Sequence, residues 1–542
     1  MRLASLASPG FGLLALLALV GVGCKCVDSE AASVAGAGAG DDAPDLAAGR
    51  RMYREGIRPS GEPLTATVTG DVPFLGTQFS CQSCHGRSGM GAAEGAYIVP
   101  PITGPFLFAR SAQPKRPAYD PESLSRALRD GLDPTGRSLK PLMPRYDISD
   151  DEARSLAAYL AGLSLGPAPG VDDKVIRLAT VVTDEVSAEV RDDVLAVLKT
   201  YVDEKNRQTR RESERPDRGT TPASRLPTLF REWALDVWTL TGPSEGWREQ
   251  LEERYRSEPV FALLSGLSAS SWGPIGRFCE SHEIPCLFPG TDLPDAQEAD
   301  FYTLHFSRGL ELEADLIASH VAEQPVGNVI QVFCGATPAR AAAALRSTLM
   351  QKGVTTEDLE FACDEPLPVA GLASRMANVP RSAAVLWLRH EQLAGLERHL
   401  PPGPIYFSST LLARDLDGPL LSAPGPVFVA HPYRLPGESD PGLMRFTVWA
   451  RTRGIELRHP RLQAEAFFAC LAANDALTHL ERYFVRDYVL DMLDHAQDLA
   501  LYLPIHPRAT LGPGQRFLTK GGYVLPIVDA RPDTKDAAWI LP

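Results

Sequence analysis

Apolar residues are distributed along this chain in three ways. Near the N-terminus they run without interruption from Phe11 to Val22, a stretch shorter than a membrane-crossing helix needs. Between Ala153 and Leu163 they recur at Ala153, Leu156, Ala157, Leu160 and Leu163, the spacing of one helix face. Ser149-Asp150-Asp151-Glu152 reads as the capping box that starts this helix, and Gly166-Pro167 stops it. From Val175 onward, short apolar runs alternate with helix-length segments. The runs are Val175–Val182, Ala234–Leu240, Pro259–Leu264, Ile284–Phe288, Phe301–His305, Val329–Phe333, Leu359–Cys363, Ala383–Leu388 and Ile405–Phe407. That alternation predicts strands of parallel sheets joined through helices.

These patterns divide the chain. Residues 1–23 read as a signal peptide, 24–44 as a low-complexity tether, 45–165 as a first folded domain, 166–174 as a linker and 175–542 as an α/β domain. The charged stretch Asp203–Arg218, with Pro216 and Gly219 about its end, reads as a solvated excursion after the first strand. At the N-terminus, Arg2 and the apolar run make a signal-peptide core. The run ends at Val22-Gly23-Cys24, as in a lipoprotein signal whose cysteine is lipidated, although Gly21 stands where leucine is usual. A plain secretory signal is the other reading. Both send the chain out of the cytoplasm, to the periplasm or the extracytoplasmic membrane surface of a bacterium, with Cys24 as the possible lipid anchor.

Cys81-Gln82-Ser83-Cys84-His85 is the C-x-x-C-H signature of covalent c-type haem attachment. With nine Cys and eleven His in 542 residues, random placement gives on the order of 0.003 such matches. Two thiols at this spacing reach the vinyl groups on one porphyrin edge, and the histidine is held beneath the iron. The same cysteines alone would also suit a redox dithiol or half a zinc site, but no βαβ pattern brackets them and no second C-x-x-C exists. For the opposite axial position three methionines are near. Met52 lies on an apparent helix and Met90 is tethered close to His85, whereas Met143 sits in an irregular loop after a predicted helix from Glu122 to Arg129. A methionine thioether favours the ferrous state; the alternative is that Met143 packs in the core and a histidine or water completes the iron.

At Gly49/Tyr53, the Cys81–His85 motif, Pro101, Met143-Pro144 and Leu156/Tyr159, residues 45–165 resemble a class I bacterial cytochrome c. The resemblance implies an all-α domain with one covalent haem c, His85 proximal and Met143 distal as iron ligands, exchanging electrons with a periplasmic dehydrogenase or another cytochrome. Gly49 is expected to let two helices approach closely, with Leu156 and Tyr159 opposite.

The α/β part resembles type 1 periplasmic binding proteins of the branched-chain amino acid and amide class. The similarity lies at Val260–Gly266 and the serine-rich loop after it, at Ile284–Pro289, at Phe301-Tyr302 leading into a helix from Glu311 to Val321, at Gln463–Asp475 and at Leu511–Phe517. It implies a bilobed α/β fold with two parallel-sheet lobes that close over a small solute. Ser268, Ser270 and Ser271 are then candidate ligand-binding residues, ahead of a helix beginning near Pro274, with turn and cap formation as their other reading. His305 stands where amino-acid binders commonly carry arginine, which argues against an amino-acid ligand.

No H-E-x-x-H, G-x-S-x-G or Walker A pattern occurs, so no catalytic residue is assigned. A haem enzyme such as a peroxidase would need an open iron position, which a Met143 ligand denies. His282, His320 and His431 read as surface or satisfied core residues. Of the remaining cysteines, Cys334/Cys363 and Cys279/Cys286 are candidate disulfide pairs and Cys470 a small core residue; Cys26 has no assigned role. The net charge of -14 argues against a nucleic-acid partner. The expected function is periplasmic electron transfer by one covalent haem, coupled to a module that docks a partner or senses a substrate. The alternative is an extracytoplasmic solute receptor for an ABC transporter, in which haem is structural or redox-sensing.

Overall fold

The computed structural model describes residues 44–68, 72–94, 97–112, 115–213, 231–297, 299–365, 368–393, 402–412, 425–480, 483–496 and 502–542. The expected signal peptide, Cys24, Cys26 and most of the tether lie outside them.

Among the described residues, five helices build the first folded part: α1 (Leu46–Glu55), α2 (Cys81–His85), α3 (Gly104–Leu107), α4 (Pro121–Asp130) and α5 (Asp150–Gly162). Asp45 caps α1 by accepting from the amides of Ala47 and Ala48. Ser149 and Glu152 form the reciprocal capping box expected at the start of α5. The helix α1 crosses α5 at Gly49, where a Cβ would stand 2.3 Å from the Ser155 carbonyl oxygen and 2.8 Å from Tyr159 Cβ. Met52, Tyr53, Leu64, Leu124, Leu128, Leu156 and Leu160 fill the core beneath. The all-α expectation is corrected by a three-stranded antiparallel sheet, Val72–Leu75, Thr65–Val68 and Arg145–Asp147. The chain approaching α2 and the chain leaving the Met143 loop run antiparallel, so their backbone groups pair while Ala66 and Tyr146 are buried.

The second part has two parallel sheets. In the first lobe the order is Gly290–Thr291, Leu267–Ser268, Val175–Thr183, Ala262–Leu264, Cys286–Leu287, Thr303–Leu304, with Glu232–Leu240 also paired to Val175–Thr183. Helices α6 (Ala188–Ser213), α7 (Trp247–Ser257) and α8 (Gly273–Ser281) connect its strands. The second lobe carries Thr355–Glu360, Asn328–Phe333, Ser382–Trp387, Ile405–Ser408 and Val427–His431 in parallel, then Tyr523–Val528 and Arg531–Pro532 antiparallel. Its helices are α9 (Leu310–Ala322), α10 (Ala336–Gln351) and α11 (Val369–Asn378). The chain then returns, and α12 (Pro441–Arg451), α13 (Pro460–His479) and α14 (Arg486–Asp494) pack in the core of the first lobe. Two of the passages between lobes are themselves paired: the His305 amide donates to the Arg516 carbonyl at 2.8 Å and the Leu518 amide to the His305 carbonyl at 3.0 Å.

Three local expectations are corrected. The helix α6 continues through Ser213, into the stretch expected to be an excursion. It is held there because Asn206 exchanges two hydrogen bonds with the Trp233 backbone and Lys205 donates to the Arg231 carbonyl. Residues 214–230 lie outside the described residues. The strand expected at Leu359–Cys363 lies earlier, at Thr355–Glu360. It is the edge of its sheet, where polar side chains meet solvent and no apolar run is required. Tyr523–Val528 adds a strand that the apolar runs do not announce, because Pro526 interrupts it; the strand is antiparallel and pairs near the sheet edge.

Cys334 and Cys363 form a disulfide, whereas Cys279, Cys286 and Cys470 are buried free thiols. His282 contacts Glu252 at 3.2 Å, His320 bonds Tyr406 at 2.9 Å and His431 bonds the Arg434 carbonyl at 3.0 Å.

Candidate haem site and the interlobe cleft

Ser80 stands at the N-cap of α2, and the single helical turn that follows sets Cys81 and Cys84 three apart, on one face. His85 ends the turn almost fully buried, 6% exposed, and its Nδ1 lies 2.9 Å from the Pro100 carbonyl. Burial pushes the imidazole down to about 4, so it is neutral, donates from Nδ1 and keeps Nε2 as a lone-pair donor. The carbonyl that orients the ring belongs to Pro100, next to the Pro101 singled out by resemblance.

The loop after His85 is tied from several directions. Gly91 donates its amide to the His85 carbonyl at 2.8 Å and Tyr53 its hydroxyl to the Gly86 carbonyl at 2.6 Å. Gly91, at φ +75°, has no room for a side chain, since a Cβ would lie 2.1 Å from the Val99 carbonyl oxygen.

Met143 is half-buried and borders the same hydrophobic cluster as Cys81. Its amide bonds the Lys140 carbonyl at 3.0 Å and its carbonyl accepts from the Arg145 guanidinium, which shapes the loop. Met52 is fully buried in α1, and the Met90 amide bonds Ser88 Oγ within the His85 loop. Two thiols on one turn, a neutral buried imidazole with one nitrogen already engaged, and a thioether on the same core form a donor set that fits a covalently attached haem.

The three serines lie apart from this site. Ser268 Oγ bonds the Ser270 backbone, donating to its carbonyl at 3.0 Å and accepting its amide at 3.2 Å. Ser270 Oγ donates to Glu185, and Ser271 Oγ donates to Asp295 at 2.8 Å and accepts the Gly273 amide at 3.1 Å. All three hydroxyls thus have partners within the protein: Ser268 within its own turn, Ser270 and Ser271 on the distant carboxylates of Glu185 and Asp295.

A pocket beside the passages between the lobes is lined by Asp292, His305, Phe306, Tyr433, Arg461, Glu465 and His506, among others, and has a volume of about 10 Å³. That is room for about one water molecule, against the several hundred Å³ of an ordinary ligand pocket. Arg461 bridges Asp292 at 3.0 Å and Glu465 at 3.5 Å, and His506 bonds Glu465 at 2.9 Å while stacking on Phe306 at 5.1 Å. His305 is buried and stacked on Phe517 at 5.5 Å. Burial lowers its pKa to about 3, so it carries no charge. Arg461 and Glu465 escape a reading of the sequence; their signal is an ion-pairing couple one turn apart, just ahead of the apolar run Ala466–Ala473 of the same helix. Among the described residues, no helix is long and apolar enough to cross a membrane. No group of three or more His, Cys, Asp or Glu converges as for a metal ion among them either.

Residues 76–164 match the family model of cytochrome c. No curated protein matches the chain in sequence. Among solved structures, a branched-chain amino acid ABC transporter protein from Thermus thermophilus with bound valine is similar at 12% identity and a TM-score of 0.50, over 68% of this chain and 97% of that one. A putative branched-chain amino acid ABC transporter protein from Rhodospirillum rubrum is similar at 16% identity and a TM-score of 0.45, over 66% and 99%. The first likeness shows the fold of the two-lobed part.

Proposed function

We propose that this chain, in which a cytochrome c segment is joined to a module folded like branched-chain amino acid binding proteins, is an extracytoplasmic one-electron carrier, with the module serving as a docking body for its redox partner. The carrying observation is the turn Cys81–His85, with a neutral, buried imidazole oriented by the Pro100 carbonyl. Cys81 and Cys84 would anchor one haem c and His85 and Met143 would ligate its iron, and the group would supply reversible one-electron exchange. The protein residues anchor it, fix the proximal ring and exclude water from the core beneath; no residue is assigned to substrate turnover, and the chain is a carrier rather than an enzyme. The partner is a periplasmic dehydrogenase or another cytochrome, and Cys24 supplies a lipid anchor.

Spectra of protein made with a cytochrome c maturation system test the haem. Expected are covalent haem and the weak long-wavelength band of ferric methionine ligation. Met143→Ala removes that band and lowers the reduction potential, and a spectrum unchanged by the substitution refutes Met143 as ligand.

The docking role of the module is supported by the pocket beside the interlobe passages, where Arg461, Glu465 and His506 form an internal ion-pair network. A receptor at ~100 times the dissociation constant of its ligand gains about 2.7 kcal/mol. Thermal unfolding with saturating branched-chain amino acids and amides is expected to show no such gain; a clear gain restores the receptor reading.

A further inference from the structure

The haem loop is held partly by a helix more than four hundred residues away. Asp491, on α14 of the two-lobed module, accepts the Arg87 amide on Oδ1 at 3.1 Å and the Ser88 amide on Oδ2 at 2.9 Å. These are the second and third residues after His85. Gly86, at φ +73°, has no room for a side chain, because a Cβ there would lie 2.6 Å from Asp491 Oδ2. One turn earlier, Asp487 pairs with Arg54 of α1 at 3.4 Å and with Arg87 at 3.5 Å, and accepts the Tyr302 hydroxyl at 2.5 Å. The Arg87 guanidinium also lies over the Phe301 ring, 3.9 Å from its centre. Two carboxylates of the module thus face the loop that carries the proximal histidine, in a buried setting where charge is weakly screened.

We infer that Asp491, with Asp487 one turn before it holding Arg54 and Arg87, is a positioning residue of the haem centre: it fixes the loop behind His85 and its negative charge lowers the reduction potential of the bound haem. The inference rests on the reading of Cys81–His85 as the haem site. The physical basis is twofold. Groups that hold the peptides around a metal ligand set its orientation. A buried negative charge favours the more positive, ferric state over the ferrous one, and burial with hydrogen bonding is among the levers a protein has on haem potential. The module is then more than an appended domain, since removing its α14 contacts changes the electron carrier itself.

The test is the midpoint potential, by spectroelectrochemistry, of the full-length haem-loaded protein and of Asp491→Asn, Asp487→Asn and Asp494→Asn. Asp494 pairs with Arg516 at 2.9 Å on the next turn, so it serves as the control. Asp491→Asn removes the charge and one of two acceptors, and Asp487→Asn leaves Arg54 and Arg87 less compensated. Both are expected to shift the potential positively with covalent haem and methionine ligation retained, while Asp494→Asn gives a smaller shift. Unchanged potentials in the first two overturn the inference. If Asp491→Asn fails to mature, Asp487→Asn decides alone, by the same criterion. Absence of covalent haem in the unmodified protein overturns the functional reading itself and is seen before any potential is measured.

Discussion

Replacing Gly49 by alanine adds one methyl group at the crossing of α1 and α5. The new carbon would lie 2.3 Å from the Ser155 carbonyl oxygen, 2.9 Å from the Ser155 carbonyl carbon and 2.8 Å from Tyr159 Cβ. None of these is the far end of a flexible side chain, so no rotamer change relieves the clash. Ordinary carbon contacts stand at about 3.5 Å, so α1 must retreat by roughly 1 Å, and a gap of that size forfeits a quarter to a half of each contact's attraction. Met52 and Tyr53, both buried on α1, lose packing, including the Tyr53–Tyr159 ring contact at 5.5 Å. Overpacking of this kind costs about 1–3 kcal/mol, and the better helix propensity of alanine returns up to about 1 kcal/mol, for a net loss centred on about 1 kcal/mol. Gly162, at the end of α5, is the control: a Cβ placed there would meet nothing within 4 Å, so Gly162→Ala should be neutral or gain up to about 1 kcal/mol. The assay is urea unfolding of the haem-loaded protein followed by the haem absorbance, comparing midpoints at a common slope. A Gly49→Ala midpoint equal to or above that of the unmodified protein refutes the close-crossing argument.

Glu313, wholly buried on α9, accepts hydrogen bonds from Ser408, Ser409 and Thr410. Burial nevertheless pushes its carboxyl up to about 7. A raised carboxyl takes up its charge later in the folded than in the unfolded state. Stability is therefore full below the unfolded value, falls as pH rises toward 7, and levels above it, a loss on the order of 3 kcal/mol. Denaturant midpoints from pH 4.5 to 8, values of about the carboxyl range and above, should show that slope, and Glu313→Gln should flatten it; parallel profiles would dismiss Glu313 as its source. The Cys334–Cys363 bond closes a loop with a sequence separation of 29. Cys363→Ser is expected to cost about 3 kcal/mol, read as a lower denaturant midpoint, and an unchanged midpoint would mean that the bond does not constrain the unfolded chain.

What the sequence by itself determined is local. The spacing within Cys81–His85 places two thiols and an imidazole on one turn whatever surrounds it, the capping box at Ser149 starts α5, and Gly49 marks a close approach. The alternation of apolar runs with helices after Val175 is enough for the parallel α/β architecture, because strands buried on both faces must be continuously apolar. Edge strands escape that rule, and so Thr355–Glu360 lies away from the apolar run that predicts it.

The tertiary structure decided what depends on residues distant in sequence. Pro100 rather than a side chain orients His85, and no pattern of residue types encodes which backbone carbonyl a ring will meet. The ion pair in the pocket joins Asp292 and Arg461, 169 residues apart, and the hydrogen bond on the loop after His85 joins Arg87 and Asp491, 404 residues apart. Charged side chains at helical spacing read as a solvated face in a sequence. Only folding shows that Asp487 and Asp491 are buried, and a buried carboxylate must find donors, which here are the arginines and backbone amides next to the haem motif.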